Sequence, residues 1–167
     1  LVPVSGDPLC TPAKVWHRAF FAAAKYAGFS PIASLSYELL AQHCPASWQQ
    51  RASNGDPART GWDPPSALLS PASSAAMGWL QSVAAGFVTL MEEAAVPVRF
   101  QIGEPWWWIM ADGRPCLYDD AAKAALGGNP VVVADLRQSL PAAQLALLDA
   151  AGALLAGSTA ALTNAVR

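Results

Sequence analysis

The chain has 167 residues, 53% of them hydrophobic and 13% charged, with a formal net charge of -2; that fits one domain with a large core and a weakly charged surface. Its ten Lys and Arg residues are scattered without a run, so the clustered cations that nucleic-acid binding requires are missing and no nucleic-acid partner is expected. Gly, Ser, Gln or charge interrupts the Ala-rich segments, so no membrane span, which needs roughly 20 uninterrupted apolar residues, is expected either.

The first residues, Leu1 to Pro8, carry no initiator Met and no basic segment. They do not read as a signal peptide, and a processed chain or a piece of a longer one is the expectation. Thr11-Pro12 offers an N-cap followed by proline at the first helical position. Val15, Trp16, Ala19, Phe20 and Ala23 recur at helical spacing, and Gly28 supplies a stop, which predicts a helix from about Pro12 to Ala27. Ile32 to Glu38 reads as a strand with apolar residues on both parities, as in a parallel sheet buried on two faces. Glu38 stands at its C-terminal end.

From about His43 to Leu69 the chain is polar and rich in Pro and Gly. A loop of this length within a domain is commonly functional, and Trp48 and Trp62 predict that it is packed. Ser70-Pro71 repeats the cap-plus-proline device and opens a helix to about Ala95. Pro97 starts a second strand, Val98 to Ile102, that ends in Gly103-Glu104-Pro105 and runs into Trp106-Trp107-Trp108. Trp107 to Met110 and Pro115 to Tyr118, joined by Asp112-Gly113, predict a β-hairpin. Asp119-Asp120 begins a short Ala-rich helix, placed well for its dipole, and Gly127-Gly128 closes it. Val131 to Ala134 is a buried strand or an extended connection, and Pro141 opens a long Ala/Leu helix to about Ala165.

The alternation of helices with strands predicts an α/β fold with parallel βα units. A full (β/α)8 TIM barrel needs about 250 residues, so residues 1–167 are expected to be a single domain that forms part of a barrel, with a β-hairpin inserted after one strand. Apolar residues of the last helix, such as Leu145, Leu154 and Leu155, then need cover from elsewhere in a larger protein.

Both predicted strands deliver a glutamate to their C-terminal ends, the face on which parallel α/β folds carry function. If the strands are neighbours, about 4.8 Å apart, Glu38 and Glu104 can approach each other as a catalytic acid pair. The competing reading pairs each with Arg99, Arg51 or Arg59, or places it at a helix cap. Alternation along an extended segment sends Trp106 and Trp108 to one side and Trp107 to the other. Indole faces stack on sugar rings, and an apolar neighbour raises a carboxyl pKa; the competing role of these rings is core filling. His43 follows Glu38 and could reach the same cleft. Neither His17 nor His43 has a second ligand at metal spacing, no phosphate loop or nucleophile elbow occurs, and no metal or cofactor is expected. Cys10, Cys44 and Cys116 are an odd, widely spaced set, expected to be buried free thiols.

At Ser36-Tyr37-Glu38, Gly61-Trp62, and above all Phe100 to Trp108, the chain resembles a segment of the tail-tip proteins of bacteriophages, prophages and gene-transfer-agent-like particles. The Leu117-Tyr118-Asp119 stretch after the Asp-Gly turn belongs to the same resemblance, which covers roughly Phe29 to Asp120. It implies a glycoside-hydrolase-like barrel and a place in a virion or phage-tail-like particle. Gly103 stands where the common Asn-Glu-Pro pattern of such hydrolases has Asn.

The leading expectation is a glycoside-hydrolase-like domain acting on or binding a surface polysaccharide. Glu104 and Glu38 would be its acids, with Trp106, Trp107, Trp108, Trp62, Tyr37 and His43 around the glycan. The alternative is a non-catalytic structural or carbohydrate-binding module, partnered by other domains or subunits of the assembly.

Overall fold

The computed structural model of the chain describes residues 7–167. Helix α1 (Thr11–Tyr26) begins at an N-cap, Cys10, that makes no side-chain cap. It ends where Gly28 adopts φ +77, so that the Phe29 amide donates to Ala24 O and the Gly28 amide to Lys25 O; glycine takes that left-handed turn without a Cβ penalty. Strand β1 (Ala33–Ser36) follows. It pairs in parallel with β4 (Phe100–Gly103), in the register Ala33↔Phe100 to Ser36↔Gly103. Between them in sequence lies α2 (Ser74–Glu93), which packs on both α1 and β1.

The strand expected over Ile32 to Glu38 is broken at Tyr37. From there the backbone turns to a second partner: the Leu69 amide donates to Tyr37 O at 2.8 Å. Strand β2 (Glu38–Leu40) then pairs antiparallel with β3 (Ser66–Leu68). Glu38 therefore begins a second small sheet instead of ending the first. The structure is mixed α/β, with two two-stranded sheets and no closed barrel among the described residues.

β1 is also buried on one face only. Ala33 and Leu35 are buried, whereas Ser34 is exposed and Ser36 half-buried, because no described element covers the face that a closed barrel would fill. The buried face joins the main core, where Leu35 and Tyr37 meet Phe21 of α1, Leu80, Val83 and Met91 of α2, and Leu162 of the last helix.

After β4 the chain leaves regular structure. The expected hairpin is reduced to a single bridge, Ile109↔Pro115, around a tight turn in which Gly113 has φ +91 and a Cβ would collide with the Asp135 carboxylate. Helix α3 (Asp120–Ala125) is capped by Asp119, whose Oδ1 accepts from the Ala122 amide at 3.0 Å. Residues 131–134 are a connection without regular structure, held where the Tyr118 hydroxyl accepts from the Val133 amide and donates to Val131 O. Helix α4 (Ala142–Ala165) closes the chain. The capping device expected at Ser70-Pro71 sits three residues later, at Ser73, whose side chain accepts from the Ala76 amide.

Two further expectations are corrected here. Among the three free cysteines only Cys116 is buried; Cys44 is half-buried and Cys10 exposed. The expectation of no apolar stretch long enough for a bilayer fails as well. Helices α2 and α4 have the length and composition to cross one, and the α4 window has a mean hydropathy of 1.6 with only 22% of it buried. Small polar residues such as Ser158, Thr159 and Thr163 interrupt α4, and their hydroxyls donate back to the helix carbonyls of Leu155 and Thr159.

The fully buried Gln50 ties the loop after β2 to the tryptophan segment. Its Nε2 donates to Leu69 O at 3.0 Å and to Trp106 O at 2.9 Å, and its Oε1 accepts from the Trp108 amide at 2.7 Å. Gln50→Ala strands these backbone groups, each at a cost of about 1–3 kcal/mol when buried. A loss of at least about 2 kcal/mol in chemical denaturation is expected on that basis, and a loss below about 0.5 kcal/mol would contradict the clamp.

Candidate functional site

The β1–β4 register fixes the site. With Ser36 opposite Gly103, the next residues of both chains, Tyr37-Glu38 and Glu104, leave the sheet at the same end. Gly103 is buried, and a Cβ there would approach Ser34 Oγ to 3.2 Å. An Asn at this position would have to displace Ser34, which accounts for the glycine locally. Glu104 follows at φ +51, a left-handed conformation that costs a non-glycine residue of order 1 kcal/mol. It turns the carboxylate aside before Pro105.

The two expected acids are brought to the same end of the sheet. Glu38 is half-buried and Glu104 exposed, close enough for the Glu104 charge to act on the Glu38 carboxyl. Burial pushes the Glu38 carboxyl up from its ordinary range. The Glu104 charge and the contact between the two carboxyls push the same way, opposed by a hydrogen bond from Ser66 of β3. The expected arginine partners are elsewhere. Arg51 donates to Gly55 O, and Arg59 acts on the Cys44 thiol, which burial raises to about 11. Among the described residues neither glutamate makes an ion pair.

The tryptophans separate as alternation requires. Trp106, 37% exposed, meets Trp108 edge to face at 5.7 Å. Trp107 turns the other way, donates Nε1–H to Ala151 O of α4 at 2.8 Å, and packs with Leu117, Val133 and Leu147. Trp108 covers the small core of Ala52, Ala58, Leu68 and Cys116. Of the three, Trp106 is the ring most open to a ligand, and Trp107 is a structural peg.

Tyr37 does not stand at the site as expected. It is fully buried, its hydroxyl 2.9 Å from Ser158 Oγ, because the bend after β1 points it into the helix layer. His43 is exposed and contacts Gln42, and Trp62 is exposed on the loop before β3. Sequence reasoning missed Gln50, which holds Trp106 and Trp108 in place; a lone Gln in a polar loop carries no periodic signal.

The hollow beside Glu38, about 280 Å³, is lined by Ser34, Ser36, Leu39, Trp79 and Leu80 among others. It falls at the lower limit of the usual small-molecule site. The larger hollows, about 570 Å³ along α4 beside Pro105 and 670 Å³ between α1 and α2, include neither acid. No group of three or more metal-ligating side chains occurs among the described residues.

The raised Glu38 pKa has a definite sign in stability. The folded state holds this proton more firmly than the unfolded chain, so the contribution is present below the ordinary value of 4.5 and lost as pH rises through the raised value. Glu38→Gln removes the ionised pair and should melt above the parent at neutral pH, with the gap closing below pH 4.5. Thermal melts at the two pH values check this, and an equal gap at both would show that the carboxyl contact does not act on stability.

A family description fits this geometry. The model of a family described as "Non-contractile tail sheath protein TIM barrel" matches residues 1–167. No curated protein and no solved structure matches the chain. The family bears out the tail-related barrel segment but carries nothing of a glycoside hydrolase, and it names a sheath where a tail tip was expected. The chain belongs to the non-contractile tail sheath protein TIM-barrel family.

Proposed function

We propose that this chain is a structural wedge of a phage-tail sheath, built to be covered by other parts of the same barrel and by neighbouring subunits. The observation that carries this is α4. It is 24 residues long, apolar around most of its circumference, and little buried. A helix apolar on all sides belongs in the interior of a larger body, and the family supplies a protein assembly as that body. Leu145 is half exposed, and the hollow beside Pro105 runs along Gly152, Ala156, Thr159 and Ala160. Such a small-residue surface lets another element approach closely.

A second reading, binding or cleavage of a surface polysaccharide, is favoured by the acid pair with Trp106 beyond Pro105. Retaining enzymes hold their acids about 5–5.5 Å apart and inverting ones about 6.5–9.5 Å, and here the Glu104 charge lies close enough to act on Glu38. In that reading Glu104→Gln abolishes glycan cleavage by the complete protein; in the structural reading there is no turnover to abolish.

The structural reading is tested at exposed positions of α4. Ala156→Glu with Ala160→Glu in the complete sheath protein should leave the fold intact, because surface changes stay within about 0.5 kcal/mol. It should also abolish incorporation into tails, read by sedimentation and electron microscopy. Normal tails from a folded double variant would overturn it.

A further inference from the structure

Two sharp turns, far apart in sequence, share one guanidinium. The first is Asn54-Gly55, with Gly55 at φ +90; the second is Asp112-Gly113, with Gly113 at φ +91. Arg114 Nη2 donates to Asp56 Oδ2 at 3.0 Å and its Nε to Asp112 Oδ2 at 2.7 Å. The Arg114 amide adds a bond to Asp112 Oδ1 at 3.2 Å. Half-buried Arg114 thus ties the long loop to the turn that follows the tryptophans.

Asn-Gly is the dipeptide at which a chain most readily attacks itself, because glycine has no Cβ to shield its own amide nitrogen. Of the three asparagines only Asn54 precedes a glycine. Asn129 precedes Pro130, whose nitrogen has no hydrogen to lose, and Asn164 precedes Ala165 within α4. Asn54 and Gly55 are both exposed, so water reaches them.

In the folded chain both reacting groups are held. Asn54 Nδ2 donates to Asp56 Oδ2 at 2.7 Å, and Asn54 Oδ1 accepts from the Asp56 amide at 3.2 Å. The Gly55 amide, the nucleophile, donates to Ala52 O at 2.9 Å, and Arg51 Nη1 donates to Gly55 O at 2.9 Å. Asp56 Oδ2 is therefore shared between Asn54 and Arg114. Their hydrogen bonds keep the Asp56 carboxyl below its ordinary range, so that it stays an acceptor for the Asn54 amide.

We propose that Asn54-Gly55 is a self-modification site of the succinimide type, held closed by Asp56 and, through Asp56, by Arg114. The Gly55 nitrogen gives up its proton to water and attacks Asn54 Cγ. A C–N bond forms, the Cγ–Nδ2 bond breaks, and ammonia leaves. Water then opens the ring at either carbonyl, leaving aspartate or an isoaspartyl linkage. The isoaspartyl product adds a methylene to the backbone of the turn, which breaks the Ala52 to Asp56 pairing and frees Arg114. Asp112-Gly113 can close in the same way with water as the leaving group. An ionised carboxylate is a poor electrophile, however, and the Arg114 side chain holds Asp112 ionised.

The test incubates the complete sheath protein in heavy-oxygen water and maps its peptides by mass spectrometry, since ring opening puts a solvent oxygen into the product. Each rate is divided by that of a blocked peptide with the same residues 51–58. In the parent, label should enter at Asn54 at least about tenfold more slowly than in the peptide, the factor that two held hydrogen bonds supply. Asn129 and Asn164 should stay unlabelled. Asp56→Ala should raise the Asn54 ratio at least about threefold, as expected for loss of a partly exposed charged contact, and leave Asp112-Gly113 unchanged. Arg114→Ala should raise labelling at both turns. Circular dichroism checks that each variant is folded, and Asp56→Ala decides alone if Arg114→Ala is not. A parent as fast as its peptide would overturn the proposal. So would a folded Asp56→Ala whose ratio equals or falls below the parent's, or faster labelling at Asn164 than at Asn54. None of these outcomes involves the α4 surface, so the sheath reading stands or falls separately.

Discussion

Four residue pairs, Ala33↔Phe100 to Ser36↔Gly103, set nearly everything else in this chain. They are the only parallel pairing among the described residues, and isolated two-stranded sheets have marginal stability in water. Stability must therefore come from the helices. Leu80, Val83 and Met91 of α2 and Leu162 of α4 cover one face of the pair. The other face carries Ser34 and Gln101 in the open. The same register brings Glu38 and Glu104 to one end of the sheet, two residues past Ser36 and one past Gly103.

A closed barrel has no edges, and an open pair has two. The exposed bank on α1 and the apolar surface of α4 are the helical counterparts of those open edges, so the missing cover falls on both flanks. In the reading proposed above, a chain so apolar leaves these surfaces uncovered because other parts of a sheath assembly cover them; the family description names a tail sheath protein. It also reweighs the acids. A neighbouring pair of carboxyls, a strained Glu104 and an exposed Trp106 make a distinctive corner, but the family supplies nothing of a hydrolase.

Helix α1 was legible because apolar periodicity survives single-chain reading, α4 because Pro141 opens a long Ala/Leu run, and the ends marked by Gly28 and by Asp119 have local chemistry behind them. The strand over Phe100 to Gly103 was legible from its short β-branched and aromatic run, ended by Gly103-Glu104-Pro105. The break at Tyr37 was not, since it depends on which distant backbone claims the Tyr37 carbonyl, here Leu69. Alternation predicted the divergence of Trp107 from its neighbours, while the tertiary contact with Ala151 decided that Trp107 is a peg. Tyr37 was misplaced through adjacency: the bend between β1 and β2 turns it into the helix layer, away from its neighbour Glu38. The clamp made by Gln50 left no trace in the sequence, because a buried amide is defined by its partners and not by its neighbours.

Central to this account is that the free chain exposes surfaces which the assembled tail covers. Hydroxyl-radical footprinting of the free chain and of assembled tails measures it directly at Trp16, Phe20 and Leu145, all exposed here. Oxidation at the three should fall sharply on assembly, while Asn54, on the exposed turn of the long loop, lies in a segment that should keep its reactivity. Unchanged oxidation at Trp16, Phe20 and Leu145 in intact tails would contradict the account.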